Sequence, residues 1–161
     1  MAESRAPARK SEDVISIARH KRARFDYDIL DSWEAGLVLT GTEVKSLRGG
    51  RAAMADSYGV VKNGEIWLLN LHIPPYEQGN QFNHDPTRTR KVLLHTKEIR
   101  RLIGAVERQG LTLVPLELYF KRGRAKVRLA LARGKKVHDK RATIRAREEA
   151  REVARAVGTR R

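Results

Sequence analysis

The sequence contains no cysteine, so the chain can form no disulfide, no thiol nucleophile and no cysteine-based zinc site. It also lacks long apolar runs, and no segment is predicted to cross a bilayer. The first residues, MAESRAPARKSEDV, contain no apolar core segment, so we expect no secretory signal. These absences predict a soluble, cytoplasmic protein without a membrane partner.

Acidic residues are scarce relative to basic ones, and the excess is unevenly distributed. Lys and Arg number 34 against 19 Asp and Glu, which gives a formal net charge of +15. Residues 1–24 carry +4 and residues 134–161 carry +6, so the 109 residues between them carry only +5. Basic ends on a less charged globule are typical of a protein that binds nucleic acid. A membrane surface is disfavoured, because the basic segments lack a bulky apolar face.

The region between the basic ends is predicted to be mainly β. Asn63-Gly64 is a strong type I′ turn signal that joins YGVVK to EIWLLNLHI in a hairpin. Over residues 116–120 apolar and polar side chains alternate, which predicts Leu116 on a buried face and Tyr119 on a solvated one. The alternation resumes over residues 127–131 after a KRGR turn, so a second hairpin is expected.

One helix is clearly indicated, from about residue 96 to 109. Thr96 is a plausible N-cap, and Gly110 follows the last turn. Its apolar side chains recur at helical spacing and form one stripe: Ile99, Leu102, Ile103 and Val106. Residues 42–48 are expected to form a short helical turn that ends at two glycines, and residues 25–39 to form one or two strands.

Together these elements predict a mainly β protein: a small closed barrel of about six strands that resembles the oligonucleotide-binding (OB) fold, with one packed helix. We divide the chain into a basic flexible N-terminal arm at 1–13, a barrel domain at 14–133 and a basic C-terminal tail at 134–161. The tail is rich in helix formers, but its apolar side chains are mostly small. We therefore expect it to be disordered when free and helical when bound to RNA.

No catalytic arrangement is evident in the sequence. The five histidines lack HxxxH or HExxH spacing, the glycine-rich stretches match neither GxxxxGK[ST] nor GxGxxG, and GxSxG is absent. Asp26, Asp28 and Asp31 could form a metal cluster, but a solvated strand face is the favoured interpretation. We predict a non-enzymatic protein with no cofactor and no metal.

Three segments carry a more specific signal: HKRARFDYDILDSWEAGLVLTGTEVKSLRGG at 20–50, DPTRTRKVLL at 85–94 and GKKVHDKR at 134–141. In this order they resemble the SmpB family of SsrA-binding proteins, the partners of bacterial tmRNA, from about residue 14 into the tail. The resemblance implies an adapter that binds the tRNA-like domain of tmRNA and delivers it, with elongation factor Tu, to stalled ribosomes for trans-translation. The alternative is a structural ribosomal protein or a general RNA chaperone with the same barrel and basic arms.

The resemblance also implies a set of tmRNA-binding residues, in which Glu34 and Leu93 match family positions implicated in tmRNA binding. The set comprises Lys21, Arg22, Arg24, Tyr27, Glu34, Arg88, Arg90, Lys91 and Leu93. A carboxylate repels phosphate, so Glu34 is interpreted as an acceptor for a base N–H or a ribose 2′-hydroxyl. Tyr27 and Leu93 could equally pack in the core, and the basic residues at 21–24 could form a merely solvated arm.

In the tail, the resemblance implies binding to the ribosome, in the mRNA channel near the decoding centre of the small subunit. The residues concerned are Lys135, Lys136, His138, Asp139, Lys140, Arg141 and Ile144. The imidazole of His138 could stack on a base while the cations follow ribosomal RNA.

Two questions about the barrel stay open. Glu43, Lys45 and Arg48 could face RNA or support the fold, and His20 stands where the family usually has Asn.

Overall fold

The structure is a computed structural model that describes residues 14–78, 83–135 and 137–158. The expected N-terminal arm at 1–13 lies outside the described residues. The strands are β1 (Val14–Arg19), β2 (Tyr27–Leu37), β3 (Tyr58–Lys62), β4 (Glu65–Leu69), β5 (Arg90–Leu93), β6 (Thr112–Lys121) and β7 (Arg124–Gly134). The helices are α1 (Ala23–Asp26), α2 (Gly41–Arg48), α3 (Thr96–Gln109) and α4 (Val137–Gly158).

The strands form one antiparallel sheet whose pairings return on themselves. From β6 the order runs through β3, β4, β5 and β2 to β7, and β7 pairs again with β6. Six strands thus form a closed circuit, to which β1 is added on β6. The shortest pairing of the circuit is that of β3 with β6, in which Gly59 is paired with Leu113. The predicted mainly β fold is confirmed, with seven strands in a sheet that closes into a ring.

Both predicted hairpins are present, and both turn through left-handed backbone. Asn63 and Gly64, with φ of 53° and 72°, join β3 to β4. Arg122 and Gly123, with φ of 52° and 76°, join β6 to β7. Positive φ at both central residues is the type I′ geometry, whose twist matches that of the flanking strands. Local turn chemistry therefore sets the register of both hairpins.

Helix α3 has the predicted bounds and lays its predicted stripe on the core. Leu102 is fully buried, and Ile99 and Val106 pack partly buried against the same cluster. The N-cap is His95 rather than Thr96, and the backbone N–H of His95 donates to the Glu98 carboxylate at 3.3 Å. The helix ends at Gly110 in the left-handed conformation, as the sequence indicated.

The outer face of β6 is not solvated as predicted, and residues 25 and 26 are helical rather than extended. A register shift between Pro115 and Glu117 interrupts the alternation, leaving Leu116 half-buried. Helix α1 covers the sheet here, and its Ala23 is buried in a small cluster against which Leu116 packs. Tyr119 is only 3% exposed. The bulge thus places Leu116 in the cluster under α1 instead of the main core, and Tyr119 is buried on the face that simple alternation assigns to solvent.

The tail forms the helix expected of it, α4. Its sequence is rich in strong helix formers, and the Arg147 guanidinium lies 5.9 Å from the centroid of the Phe25 ring in α1. Intrinsic propensity and this contact both favour the helix. That the tail is disordered when free and orders on RNA stays a prediction. None of the described helices is long and apolar enough to cross a bilayer.

The barrel extends slightly further than the boundary drawn from sequence. Gly134 is paired with Tyr27 as the last residue of β7. The backbone N–H of Lys135 donates to the carbonyl of Asp26, and its ammonium donates to the carbonyl of Arg24, both at 3.0 Å. Residues 134 and 135 therefore belong with the barrel, and α4 begins beyond them.

A buried ion pair joins α2 to the first residue of β5. The side chains of Glu43 and Arg90 are both 0% exposed, and Arg90 Nε donates to Glu43 Oε2. The Arg90 guanidinium also donates to the carbonyls of Leu71 and Pro86. All three guanidinium nitrogens thereby donate hydrogen bonds inside the protein, as a buried charge requires.

The other oxygen of the Glu43 carboxylate completes the network. Arg88 Nη2 donates to Oε1 at 2.6 Å, and the backbone N–H of Thr40 donates to the same oxygen at 2.9 Å. The hydroxyl of Thr40 accepts from the Glu43 N–H in return, which makes a capping box at the start of α2. One carboxylate therefore fixes both the start of α2 and the loop before β5, and Glu43 supports the fold.

Replacing Glu43 by Gln is expected to lower the free energy of unfolding by about 3–5 kcal/mol, because Arg90 would stay buried without a counter-charge. Chemical denaturation at neutral pH measures the loss. The matched control is Glu65→Gln, which removes the partner of Lys91 in a half-exposed pair and should cost at most about 1 kcal/mol. Equal losses in the two variants would contradict a special role for the buried pair.

The pH dependence of stability gives a second readout for the same variant. Burial acts to raise the pKa of Glu43, but the bonds from Arg88, Thr40 and Arg90 outweigh it and hold the pKa below its ordinary value of 4.5. A carboxyl with a depressed folded pKa stabilises fully above its unfolded pKa, and this stabilisation is lost as the pH falls through the folded value. Glu43→Gln should therefore unfold with a flatter pH dependence below about pH 4.5 than the unmodified protein.

Candidate RNA-binding surface

Glu34 lies at the centre of a charged surface formed by three neighbouring strands. On β2 it is paired with Arg128 of β7, and two side chains of β6 reach its carboxylate. The Tyr119 hydroxyl donates to Glu34 Oε2 at 2.6 Å, and the Lys121 ammonium lies 3.3 and 3.4 Å from the two carboxylate oxygens. The Glu34 side chain remains 33% exposed. We call this group, with Lys126, the Glu34 surface.

The electrostatics of the Glu34 surface keep the carboxylate ionised. The hydrogen bond from Tyr119 is the largest influence on the pKa of Glu34, and with Lys121 and Lys126 it lowers the pKa against the opposing effect of burial. Burial and the neighbouring carboxylate both raise the pKa of Tyr119. The two shifts favour the same state, in which the phenol is the donor and the carboxylate is purely an acceptor.

Leu93 lies beside the Glu34 surface on the same face of the sheet. Glu34 and Gly36 are two residues apart on β2, and Gly36 is paired with Leu93 on β5. Glu34 and Leu93 are therefore diagonal neighbours across the two strands. A Cβ at Gly36 would lie 3.2 Å from the Leu93 Cβ, so the glycine makes room for this side chain. Leu93 is 49% exposed, which places an apolar group next to the acceptor.

The three basic residues of the DPTRTRK segment have different positions. Lys91 shares the face of Leu93, is partly exposed and lies 3.0 Å from a Glu65 carboxylate oxygen. Arg88 is partly exposed and donates to the Val38 carbonyl at 3.2 Å, in addition to its bond with Glu43. Arg90 is fully buried in the ion pair described above, so it is removed from the tmRNA-binding residues.

The basic segment after β1 adjoins the Glu34 surface. Its exposed cations are Lys21, Arg22 and Arg24. Lys21, Arg24 and Arg128 line one groove of about 510 Å³, so this segment and the Glu34 surface are continuous through Arg128. His20 Nδ1 lies 3.1 Å from the carbonyl oxygen of Pro115, so this nitrogen carries the proton and donates. Where the family usually has Asn, the imidazole of this chain thus binds the segment to β6.

Tyr27 packs against the barrel, and two of the aspartates considered as metal ligands form ion pairs. Tyr27 is half-buried and packs on the small cluster under α1, which favours the packing interpretation. Asp31 lies 3.3 Å from the Arg101 guanidinium, and Asp28 lies 4.0 Å from the Lys135 ammonium. Within residues 14–78, 83–135 and 137–158, no group of three or more potential ligands is arranged to hold a metal.

The residues predicted to bind the ribosome are divided between α4 and the barrel. Those in the first turns of α4 are His138, Asp139, Lys140, Arg141 and Ile144. Arg141 and Ile144 are exposed, and the side chains of the other three lie outside the described part of the chain. Lys136 lies outside the described residues. The Lys135 side chain is only 11% exposed and its ammonium is bonded to α1, so Lys135 is removed from the ribosome-binding residues.

Sequence reasoning did not identify Tyr119, Lys121 or Arg128 as part of the candidate RNA-binding surface. Period-two spacing places Tyr119 and Lys121 on one face of β6, but it does not show that this face lies beside Glu34, which is 85 positions from Tyr119. Of the residues left open, Lys45 is exposed, with its ammonium 5.7 Å from the Tyr76 ring centroid, and Arg48 is exposed.

Comparisons with known proteins agree on one family. The family model described as SmpB protein matches residues 17–159. The SsrA-binding protein of Acidothermus cellulolyticus is 58% identical over 144 residues, which are 89% of this chain and 91% of the relative. That of Bradyrhizobium diazoefficiens is 56% identical over 155 residues, 95% of this chain and 99% of the relative. A solved structure described as "tmRNA-SmpB: a journey to the center of the bacterial ribosome" contains a chain that is 55% identical with a TM-score of 0.63, covering 76% of this chain and 86% of that one.

Lys21→Ala is expected to weaken binding to structured RNA and to reduce the slope of log affinity against log salt by about one, because one phosphate contact is lost. Binding measured at several salt concentrations gives the slope. Lys62→Ala is the matched control, since it removes the same charge from an exposed position on β3, which pairs with neither β2 nor β7. An equal change of slope in both variants would mean that Lys21 contributes only to the overall charge.

Proposed function

This chain belongs to the SmpB protein family, and on that premise we propose that it binds tmRNA and acts with it on stalled ribosomes in trans-translation. The observation that carries the proposal is the extent of the family match, which runs from β1 to the end of α4. Its activity is that of an RNA-binding adapter, and the protein is not an enzyme.

The outer face of β2, β5 and β7 supports tmRNA recognition by the barrel. It combines an ionised carboxylate, an exposed apolar side chain at Leu93 and a cationic groove that includes Lys21 and Arg128. Cations bind phosphates of any sequence, whereas a carboxylate gains only where the RNA presents a donor. An exposed leucine adds a surface for an unstacked base. This combination suits a folded RNA with exposed bases, such as a tRNA-like domain.

Helix α4 supports a separate role for the tail on the ribosome. Its 22 residues span about 33 Å, and it starts two residues after Lys135, which is hydrogen-bonded to α1. The proposal assigns α4 to the mRNA channel of the small subunit near the decoding centre, with Arg141 among the cations that follow ribosomal RNA. Elongation factor Tu takes part through the aminoacylated tmRNA rather than through the chain. The site of action is the cytosol, where bacterial ribosomes translate.

The tRNA-like domain of tmRNA is expected to bind at least about a hundredfold more tightly than an unrelated structured RNA of equal length. Both affinities must be measured at the same salt concentration, because phosphate contacts alone give tight binding at low salt. Similar affinities for the two RNAs would overturn the adapter proposal in favour of a general RNA-binding protein.

Deleting residues 137–161 is expected to leave affinity for the tRNA-like domain within about twofold and to abolish peptide tagging on stalled ribosomes, since tail contacts supply the ribosomal part of the interaction. Keeping residues 134 and 135 preserves β7 and its bonds to α1. A reconstituted translation reaction with a message that lacks a stop codon measures tagging. Lost RNA affinity, or intact tagging, would contradict the assignment of the tail to the ribosome.

A further inference from the structure

Tyr119 is buried, yet its hydroxyl is hydrogen-bonded to the Glu34 carboxylate on the Glu34 surface. The residue is 3% exposed, and its backbone is paired with Ser16 on β1 and with Lys126 on β7. Strands on both sides therefore fix the position of the ring. The only side-chain partner of the hydroxyl among the described hydrogen bonds is Glu34 Oε2, at 2.6 Å.

The hydrogen bond from Tyr119 distinguishes the two oxygens of Glu34. The Lys121 ammonium lies at nearly equal distances from both, 3.3 and 3.4 Å, so it does not select one orientation. The terminal torsion of a glutamate is broad and is not fixed by its own rotamer preferences. The phenol, held by two strands, is therefore the group that sets how the carboxylate is turned.

The same contacts determine which oxygen remains for a ligand. A carboxylate oxygen has two lone pairs. Oε2 accepts from both Tyr119 and Lys121, whereas Oε1 accepts from Lys121 among the described bonds. Oε1 is thus the acceptor with capacity for a donor group of RNA, a base N–H or a ribose 2′-hydroxyl.

We propose that Tyr119 is a positioning residue for RNA recognition, whose hydroxyl holds Oε2 of Glu34 so that Oε1 is presented to the RNA. This inference rests on the proposed function, through the assignment of Glu34 to tmRNA binding. Tyr119 itself makes no contact with RNA. Its effect is transmitted only through Glu34.

The groups that face Glu34 also define a pH signature. They are Tyr119 and Lys121 from β6 and Lys126 and Arg128 from β7. Removing the phenol leaves the cations in place but takes away the largest influence that lowers the pKa of Glu34. The carboxylate of Tyr119→Phe should therefore become protonated at a higher pH than that of the unmodified protein.

The test is a double-mutant cycle with Tyr119→Phe and Glu34→Ala, read out as affinity for the tRNA-like domain of tmRNA. Tyr119→Phe keeps the ring and is expected to weaken binding by about threefold to tenfold, the loss of one hydrogen bond. In the Glu34→Ala background the same change should have no further effect, because the two residues act as one unit. Tyr76→Phe is the matched control: it removes a hydroxyl that donates to Gln78 at 3.0 Å, and it should change affinity less than about twofold.

A second readout separates positioning from general support of the fold. As the pH is lowered, Tyr119→Phe should begin to lose affinity for the RNA at a higher pH than the unmodified protein does. The Glu34 carboxyl, followed by NMR, should likewise titrate at a higher pH in the variant. Thermal unfolding of both proteins at neutral pH controls for stability. A merely structural tyrosine would change the unfolding temperature without moving either titration.

Three outcomes overturn the inference: losses that add in the double variant, an unchanged titration of Glu34, or unchanged affinity in Tyr119→Phe. If the protein still prefers the tRNA-like domain over unrelated RNA in those cases, the proposed function stands and only the role of Tyr119 fails. Loss of that preference in the unmodified protein would instead overturn the proposed function itself.

Discussion

A carboxylate and a guanidinium without exposed surface must remain paired, because either charge alone would be buried at a cost of several kcal/mol. In this protein that constraint acts at one of the short pairings of the ring. Strand β5 is four residues long and meets β2 through only Gly36 and Leu37. The Glu43–Arg90 pair holds the start of β5 against α2, and so fixes the register in which Leu93 reaches the face of Glu34. The proposed RNA-binding surface thus depends on an ion pair that lies wholly inside the protein.

Sequence predicts most reliably the features that are decided within a few residues. The Asn63-Gly64 turn and helix α3 follow from left-handed backbone and from one apolar stripe, and both are present with their predicted bounds. Local sequence could not show which of the three cations of DPTRTRK is buried and which are exposed. Their motif is continuous, but Arg90 points into the ring and Lys91 points out of it, because consecutive residues of a strand face opposite sides. Which side is the core is decided by the closure of the sheet.

The candidate site was predicted only in part for the same reason. Glu34 and Leu93 came from the family resemblance, and the pairing of β2 with β5 brings them together. Tyr119 was assigned to solvent because alternation identifies the face of a residue but not how deeply that face is covered, and Tyr119 is 3% exposed. Lys135 was assigned to the ribosome, although its ammonium is bonded to α1. Motifs identify residue types that matter, whereas exposure decides whether a cation binds RNA or the protein.

Net charge and recognition are distinct properties of this protein. The +15 attracts any polyanion, and such attraction is screened by salt and insensitive to sequence. A carboxylate in the middle of a cationic face opposes that attraction, so it is favourable only where a donor of the RNA meets it. The hydrogen bond from Tyr119 lowers the pKa of Glu34 most, and the cations Lys121 and Lys126 lower it further, so the acceptor stays ionised. In the proposed function positive charge therefore has two effects on the barrel: it attracts RNA, and it helps to keep ionised the carboxylate that discriminates between RNAs.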